Sequence, residues 1–292
     1  MPIYRRLFPF PMPLDLSVIA PHLARTPDGF WVTSAQSAVS YPREGNEQCF
    51  AVEDGSFWFA HRNRCILHLL RSYPSAGTFF DIGGGNGYVA RAVQSLGIEV
   101  VLLEPGREGA VRAKARGIRH IIQGTFEDAG LLPETIGAGG LFDVLEHLED
   151  DRRFLCRLNV AQPRGGRLYI TVPAHTFLWS REDEMAGHRR RYSLDGLKAL
   201  LKSAGYEVEY ATYFFGFLVV PILFFRTIPA RLGFGPREES FETVKADHQI
   251  RSELFAGVLQ KLMAREEARI ARGKMMALGG SCLAVARKKA NT

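Results

Sequence analysis

The chain has 292 residues, 46% of them hydrophobic, which is enough for one large α/β domain with additions or for two smaller domains. Its formal net charge is +6, but the basic residues are scattered apart from two short runs, and no aromatic and basic platform accompanies them, so nucleic-acid binding is not predicted. The four cysteines lie far apart and form no C-x-x-C pair, which argues against a zinc ribbon or a disulfide framework and favours a reducing cytoplasm.

Residues 1–56 are rich in proline and short of helical periodicity, so they predict an arm or a small irregular cap before the main fold. No signal peptide is predicted, because prolines interrupt the first apolar stretch and no small-residue cleavage site follows. The main domain is expected to span 57–292, beginning with a helix over 57–70 that Pro74 ends.

Strands and helices then alternate along the chain. Strands are predicted at 78–82, 99–104, 120–123, around 141–142 and at 166–172, with helices at 88–96, 107–115 and near 150–160 between them. This alternation is typical of right-handed βαβ units in a parallel sheet.

The distal part of the chain departs from this alternation of strands and helices. A helix over 193–203 and a strand over 207–213 precede an insertion at about 214–277, and a last strand follows at 281–287. The insertion begins with the most apolar segment, 213–228, which is shorter than the roughly 20 apolar residues of a spanning helix and contains Pro221. It is interpreted either as a buried helix inside the insertion or at a dimer interface, or as a segment that lies in a membrane interface or covers an apolar pocket.

The run TFFDIGGGNG at 78–87 is the most informative motif, because a strand carries an acidic residue into a turn made almost wholly of glycine. Glycine permits positive φ or close approach to a ligand, and the helix that follows presents its amides there. The spacing fits the D-x-G-x-G-x-G pattern of S-adenosylmethionine (SAM) binding, but Gly85-x-Gly87-x-x-Ala90 also fits a dinucleotide fingerprint. Glu104, which ends the second strand, could bind a ribose in either case.

Three observations favour SAM. Asp81 before the glycines suits the ammonium group of a methionine, whereas it would repel a pyrophosphate. Phe126, Glu127 and Asp128 follow the third strand, where an aromatic ring can stack on adenine and acids can accept its amine. The distal half also lacks the separate substrate domain of many dehydrogenases.

Several stretches together resemble the class I SAM-dependent methyltransferases, and among these the bacterial ubiquinone-pathway-type O-methyltransferases. They are FFDIGGGNGYVA, VVLLEPG, GTFEDAG, GLFDVLEHLEDD, GGRLYITVPAH and FLWSREDEMAGHRRRYS, within residues 57–213, and the final strand adds to the resemblance. The resemblance implies a doubly wound, mostly parallel seven-stranded sheet in the order 3-2-1-4-5-7-6 with the last strand antiparallel. The glycines at 136–140 depart from this pattern, because the buried central strand is unusually rich in them.

The resemblance also implies the cofactor, with S-adenosylhomocysteine (SAH) as product, and the residues that hold it. Asp81 and the loop of Gly83, Gly85 and Gly87 would hold the methionine part and Glu104 the ribose. Phe126 and Glu127 would flank adenine, with Phe142 beneath the cofactor.

Two histidines are candidate general bases. His147 follows the fourth strand and His188 lies in the loop after the fifth, and an imidazole near neutrality could take a proton from a hydroxyl acceptor. The acids around His147 are interpreted as the first turn of a helix rather than as a metal site.

The candidate substrate-binding residues each have a structural alternative. Trp58 and Arg62 could form a lid or belong to the core, and the loop after the fifth strand could bind an anion or form an internal network. The residues of that loop are Asp183, Arg190, Arg191 and Tyr192.

The sequence therefore predicts methyl transfer from SAM to a small-molecule or lipid-linked acceptor, at oxygen. Peripheral membrane contact is an open possibility, and the sequence gives no oligomeric state. The alternatives are an NAD-dependent oxidoreductase and a non-catalytic binding module with the same fold.

Overall fold

In the computed structural model the described residues are 14–35, 37, 45–232 and 253–289. The prolines at 9, 11 and 13, which interrupt the first apolar stretch, and residues 233–252 of the predicted insertion lie outside them.

The described strands are short and mostly apolar. They are β1 (Ala24–Arg25), β2 (Trp31–Val32), β3 (Phe79–Ile82), β4 (Val100–Glu104), β5 (His120–Gln123), β6 (Ala138–Phe142), β7 (Arg167–Pro173), β8 (Tyr206–Phe214) and β9 (Ser281–Lys288).

The described helices lie between and before these strands. They are α1 (Leu16–Ile19), α2 (Gly45–Glu53), α3 (Phe57–Ser72), α4 (Tyr88–Gln94), α5 (Arg107–Ala115), α6 (Phe126–Ala129), α7 (Asp151–Ala161), α8 (Arg181–Met185), α9 (Leu194–Ser203), α10 (Val219–Ile222), α11 (Ile228–Arg231) and α12 (Glu253–Ala271).

The strands join one sheet in the order β1-β2-β5-β4-β3-β6-β7-β9-β8. The strands from β2 to β7 pair in parallel, and β9 is antiparallel to both β7 and β8. The mostly parallel, doubly wound α/β fold is confirmed, with its antiparallel last strand. The predicted count of seven strands, and with it the full order, is wrong, because β1 and β2 extend one edge; the seven strands from β3 onward keep the expected order.

The segment before residue 57 contains more regular structure than the irregular arm predicted. Trp31 and Val32 pair in parallel with Ile122 and Gln123 of β5, and β1 pairs with β2. Two strands of two residues each are too short to show an alternating pattern in the sequence, which is why they were not predicted.

Helix boundaries follow the capping residues. The Ser56 hydroxyl accepts hydrogen bonds from the backbone of Trp58 and Phe59 at the start of α3. Ser193 caps α9 in the same way, accepting from the backbone N–H of Gly196 at 3.0 Å, as the sequence predicted.

Two hydrophobic clusters cover the two faces of the sheet. Phe80 and Ile82 of β3 belong to the cluster that includes residues of α7 and α9. Phe79, the neighbour of Phe80, belongs to the other, with residues of α3, α4 and α5. Because successive side chains of a strand point to opposite faces, β3 is buried on both sides, as a central parallel strand requires.

The predicted insertion lies between two neighbouring strands, since β8 pairs with β9. Its first part runs from a 3-10 turn at Gly216–Leu218 through α10, a π-helical turn at Leu223–Thr227 and α11. Among the described residues, no helix has the length and apolar character needed to cross a membrane.

Candidate active site

A cavity of about 1930 Å³ opens where β3, β4 and β6 end. The carboxyl ends of parallel strands are the edge at which α/β folds bind ligands. The cavity brings together the glycine loop, the end of β4, both candidate histidines, and side chains of α3 and the insertion.

The glycine loop has the backbone conformation that its sequence predicted. Gly83, Gly85 and Gly87 have φ angles of +71°, +52° and +76°. Gly83, Gly84 and Gly85 line the cavity, but Gly87 does not. A β carbon on Gly87 would lie 3.0 Å from that of Ala113, so this glycine allows α4 to pack on α5 instead of contacting a ligand.

Asp81 lies behind this loop and is 1% exposed. Burial raises the pKa of its carboxyl to about 7, although the charge of Arg62 and the backbone N–H of Ala90 act in the opposite direction. Its Oδ2 is buried without a hydrogen-bond partner among the described residues. A buried acceptor on the cavity wall fits the ammonium group of a SAM molecule.

Glu104 lies at the end of β4 and joins the glycine loop to α2. Its carboxylate accepts hydrogen bonds from the backbone of Gly85 at 2.9 Å and of Gly106 at 2.7 Å, and from the Asn46 amide at 3.2 Å. Burial raises its pKa, which these hydrogen bonds partly offset. A carboxylate has about four acceptor positions, so one remains for a ribose hydroxyl.

The side chains expected around adenine and beneath the cofactor also line the cavity. Phe126 and Glu127 open α6, and Phe142 ends β6. The ring of Phe142 is stacked near that of Phe79, with centroids 6.4 Å apart and planes 10° apart. The cavity wall therefore has both aromatic and acidic side chains at the ends of β5 and β6.

The two candidate histidines lie next to each other on the cavity wall. The rings of His147 and His188 are 4.9 Å apart between centroids, and both line the cavity. Burial, and then the charge of His188, lower the pKa of His147 to about 4. His188 Nδ1 lies 2.8 Å from Oδ1 of Asp183, whose side chain is fully buried.

Glu146 completes this group. It is 0% exposed, its pKa is raised well above the ordinary value by burial and by the charge of Asp143, and its Oε1 lies 3.9 Å from His188 Nε2. Glu146, His147 and His188 offer ligand atoms within 4.8 Å of one another. Glu146 lies in the 3-10 turn Leu145–His147, so the predicted helical first turn holds for Asp150 and Asp151, which open α7, but not for Glu146.

Arg62 is buried and paired rather than free for a substrate. Its guanidinium forms an ion pair with Asp143 and lies 4.8 Å above the Trp58 ring. Trp58 is stacked on Phe215 at 5.3 Å, and Trp58, Arg62 and Phe215 line the cavity. Asp143 has a φ of +60°, an uncommon conformation for a residue with a side chain.

The loop after β7 splits into two groups. Asp183 and Arg191 line the cavity, and Arg191 Nε donates to Asp183 Oδ1 at 2.8 Å. Arg190 and Tyr192 do not reach it: Arg190 donates to the carbonyls of Leu148 and Glu149, and Tyr192 is 7% exposed with its hydroxyl donating to Asp151. For Arg190 and Tyr192, these contacts favour the internal network over substrate binding, the two alternatives that the sequence left open for this loop.

Asp143, Glu146 and Asn46 line the cavity but were not among the predicted site residues. Asp143 and Glu146 could have been found from their position directly after an apolar strand, where parallel strands place ligand-binding side chains. Asn46 gave no such signal, because nothing in the sequence indicates that α2 packs against the end of β4.

Comparisons with known proteins agree with this geometry. A family model described as a methyltransferase domain matches residues 57–211, more than half of the chain. Among proteins of curated function, none matches the chain in sequence.

Solved structures share the fold at low sequence identity. A SAM-dependent methyltransferase from Thermotoga maritima superposes with a TM-score of 0.52 at 17% identity, covering 83% of this chain and 94% of that one. A methyltransferase in complex with the Haloferax volcanii Trm112 activator gives 0.54 at 15% identity, covering 86% and 95%. A plantazolicin methyltransferase, solved with SAH, gives 0.54 at 15% identity, covering 86% and 92%.

The match of the family model covers both the glycine loop and the histidine pair, and it decides between the two interpretations of that loop in favour of SAM. The chain belongs to the methyltransferase-domain family and is a class I SAM-dependent methyltransferase.

Proposed function

We propose that this enzyme transfers a methyl group from SAM to a hydroxyl oxygen of a small-molecule or lipid-linked acceptor, with His188 as the proton acceptor. The observation that carries the proposal is the contact between the buried Asp183 carboxylate and His188 Nδ1 at 2.8 Å on the cavity wall.

The cofactor would be held by the residues at the ends of the first strands. SAM, when bound, supplies a methyl group on a positively charged sulfur that departs with the bonding electron pair. Asp81 would accept from its ammonium group, and Glu104 from its ribose. The adenine contacts would come from Phe126 and Glu127, with Phe142 below.

His188 is suited to take the proton of the acceptor. A hydrogen bond from Nδ1–H to Asp183 leaves Nε2 as the basic nitrogen, directed toward Glu146 and the cavity. When Nε2 takes the proton from the acceptor hydroxyl, Asp183 and Glu146 flank the positive charge that forms. His147 is a poorer base, because its pKa is lowered to about 4.

Substitution of these residues tests the proposal. In saturating SAM, we expect His188→Ala to lower the methyl-transfer rate about 10²-fold to 10⁴-fold, the usual contribution of a general base. Asp183→Asn is expected to lower the rate as well, because it removes the charge that orients the imidazole, whereas His147→Ala is expected to have the smallest effect. The assay follows label from methyl-labelled SAM into polar and lipid fractions of a bacterial extract.

Two controls make the outcome specific. Calorimetric titration with SAM and with NAD is expected to show SAM binding alone, unchanged by His188→Ala. Because Glu146, His147 and His188 also have the composition of a metal site, the assay is repeated with EDTA. An unchanged rate in His188→Ala, or loss of transfer in EDTA, contradicts proton acceptance by His188.

A further inference from the structure

The first part of the insertion exposes an apolar face that lacks a partner among the described residues. Val220, Phe224, Phe225 and Leu232 are 61%, 58%, 80% and 65% exposed. We call these four side chains the apolar rim. Four large apolar side chains this exposed within one short segment, two of them phenylalanines, are unusual for a protein surface in water and mark an interaction site.

The apolar rim is continuous with the mouth of the cavity. Phe225 is exposed and also lines the cavity, as do Pro221 and Ile222 of the same segment. On α12, Val258 and Leu262 line the cavity while 51% and 39% exposed. An apolar path therefore leads from the outer surface, between the two parts of the insertion, into the acceptor side of the cavity.

Basic side chains surround this path. Arg226 and Arg231 belong to the same segment as the rim, where Arg226 lies 3.4 Å from Glu182 and Arg231 donates to the Phe177 carbonyl. Arg231 is exposed and donates only to a neutral carbonyl in this contact, so its positive charge is presented at this face. On α12, Lys261 and Arg265 are exposed and lie three residues beyond Val258 and Leu262, the spacing of neighbours on one helix surface.

We infer that this face docks on an anionic lipid surface and that an amphiphilic acceptor enters the cavity from it. The inference rests on the proposed function and narrows its acceptor to the lipid-linked class. Apolar side chains flanked by Arg and Lys are the arrangement by which a segment enters the headgroup region of a bilayer. The basic groups complement anionic headgroups, and the apolar path accepts the apolar part of the acceptor.

Sedimentation of the full chain with vesicles tests the docking. We expect binding to phosphatidylcholine vesicles that contain phosphatidylglycerol, weaker binding at high salt, and little binding to phosphatidylcholine alone. Phe224→Ser with Phe225→Ser is expected to lower the vesicle-bound fraction at least about tenfold, because two exposed rings no longer enter the interface. Lys261→Gln with Arg265→Gln is expected to lower binding to the anionic vesicles.

The matched control is Val111→Ser with Val160→Ser, which removes two side chains that are 46% and 58% exposed on α5 and α7. This variant is expected to bind vesicles as the unaltered chain does. Calorimetric SAM binding is measured for every variant, so that a folding defect is recognised.

Several outcomes would overturn the inference. They are absence of binding to anionic vesicles by a chain that binds SAM, equal binding to both vesicle types, and unchanged binding by the phenylalanine variant. A dimer that this variant dissociates would assign the face to a second copy instead. Label found only in the polar fraction would overturn the lipid-linked acceptor, whereas vesicle binding without any methyl transfer would overturn the proposed function and leave the docking intact.

Discussion

Asp81 gives the cofactor site its expected dependence on pH. Burial raises the pKa of this carboxyl to about 7 in the free protein, against the charge of Arg62 and reinforced by that of Glu104. The protonated form is neutral and cannot pair with an ammonium group. Because SAM would bind the ionised form, we expect its dissociation constant to rise about tenfold for each pH unit below 7.

Calorimetric titration with SAM between about pH 5 and about pH 7.5 measures this dependence. The upper limit is set by the α-amino group of SAM, since such groups titrate at about 8. Asp81→Asn is expected to weaken binding at the upper end and to abolish the pH dependence. Asp128→Asn is the control, since Asp128 also lines the cavity. Its slight burial acts to raise the pKa of its carboxyl, but hydrogen bonds with Ser37 and Thr125 outweigh this effect and lower the pKa. A pH dependence that survives in Asp81→Asn would assign it to another group.

At the scale of residues, the sequence predicted the groups that a motif contains and missed those that only the fold assembles. Asp81 and Glu104 were found because an acid at a strand end is visible in sequence. The pairing of Arg62 with Asp143 joins residues 81 positions apart and could not be found in this way. Asp183 belongs to the loop for which the sequence left both substrate binding and an internal network open, and its contacts with His188 and Arg191 are of the second kind.

At the scale of elements, the glycines of β6 explain the departure noted in the sequence. A β carbon on Gly140 would lie 2.5 Å from Cε2 of Phe142 and 2.7 Å from Cζ of Phe79. Glycine is therefore required at position 140 of β6, because the stacked rings of Phe142 and Phe79 occupy the space that a side chain would fill. Phe142 also lines the cavity, so this packing contributes to the floor of the cofactor site.

Gly140→Ala is therefore expected to reduce the free energy of unfolding by about 1–3 kcal/mol, the usual cost of overpacking, and to weaken SAM binding by displacing Phe142. Urea denaturation and calorimetry measure the two effects. Gly55→Ala is the control, because a β carbon there meets nothing within 4 Å. Equal stability of the two variants would contradict this account of β6.

Elements with a strong local pattern were predicted closely, and weakly patterned ones were not. The predicted bounds of α5 and β5 agree with the structure, because Gly117 ends the helix and a short apolar run forms the strand. By contrast, β2 depends on pairing with a strand about ninety residues away, as the Trp31–Ile122 pair shows, and β1 in turn depends on pairing with β2. Pairing of this kind leaves no periodic signal in the sequence.

At the scale of the whole molecule, a buried charged cluster fixes the insertion to the main domain. His61 of α3 is 0% exposed, with its two ring nitrogens 2.9 Å and 2.8 Å from carboxylate oxygens of Glu266 and Glu267 on α12. Glu266 also accepts from the backbone of Phe215 and Gly216. Burial opposes a charge on His61, but hydrogen bonds with Cys65, Glu266 and Glu267 more than offset it and raise its pKa to about 11.

The sign of the pH effect follows from this raised pKa. The stabilisation of the folded chain by protonated His61 is complete below the pKa of 6.5 that the imidazole has in the unfolded chain. It is lost as the pH rises from there through about 11. His61→Gln is expected to reduce the free energy of unfolding by about 3–5 kcal/mol, because it leaves the buried Glu266 carboxylate without its cation, whereas Glu267 keeps Arg64. It should also flatten the decline in stability as pH rises above neutrality.

Urea denaturation at neutral pH and at a moderately alkaline pH measures both effects. His68→Gln on the same helix is the control, since burial lowers the pKa of His68 and it makes no such pair. A variant of His61 as stable as that of His68 would show that the cluster does not hold α12 in place.

The adjacency of β8 and β9 has a consequence for how such enzymes diversify. Phe214 and Ser281 are register partners, so the insertion leaves the sheet and returns to it at the same pair of residues. A segment whose two ends meet in this way can change in length or sequence without altering the order of the strands in the sheet. Because residues of the insertion line the cavity, such changes would alter that wall and leave the glycine loop and the end of β4 in place.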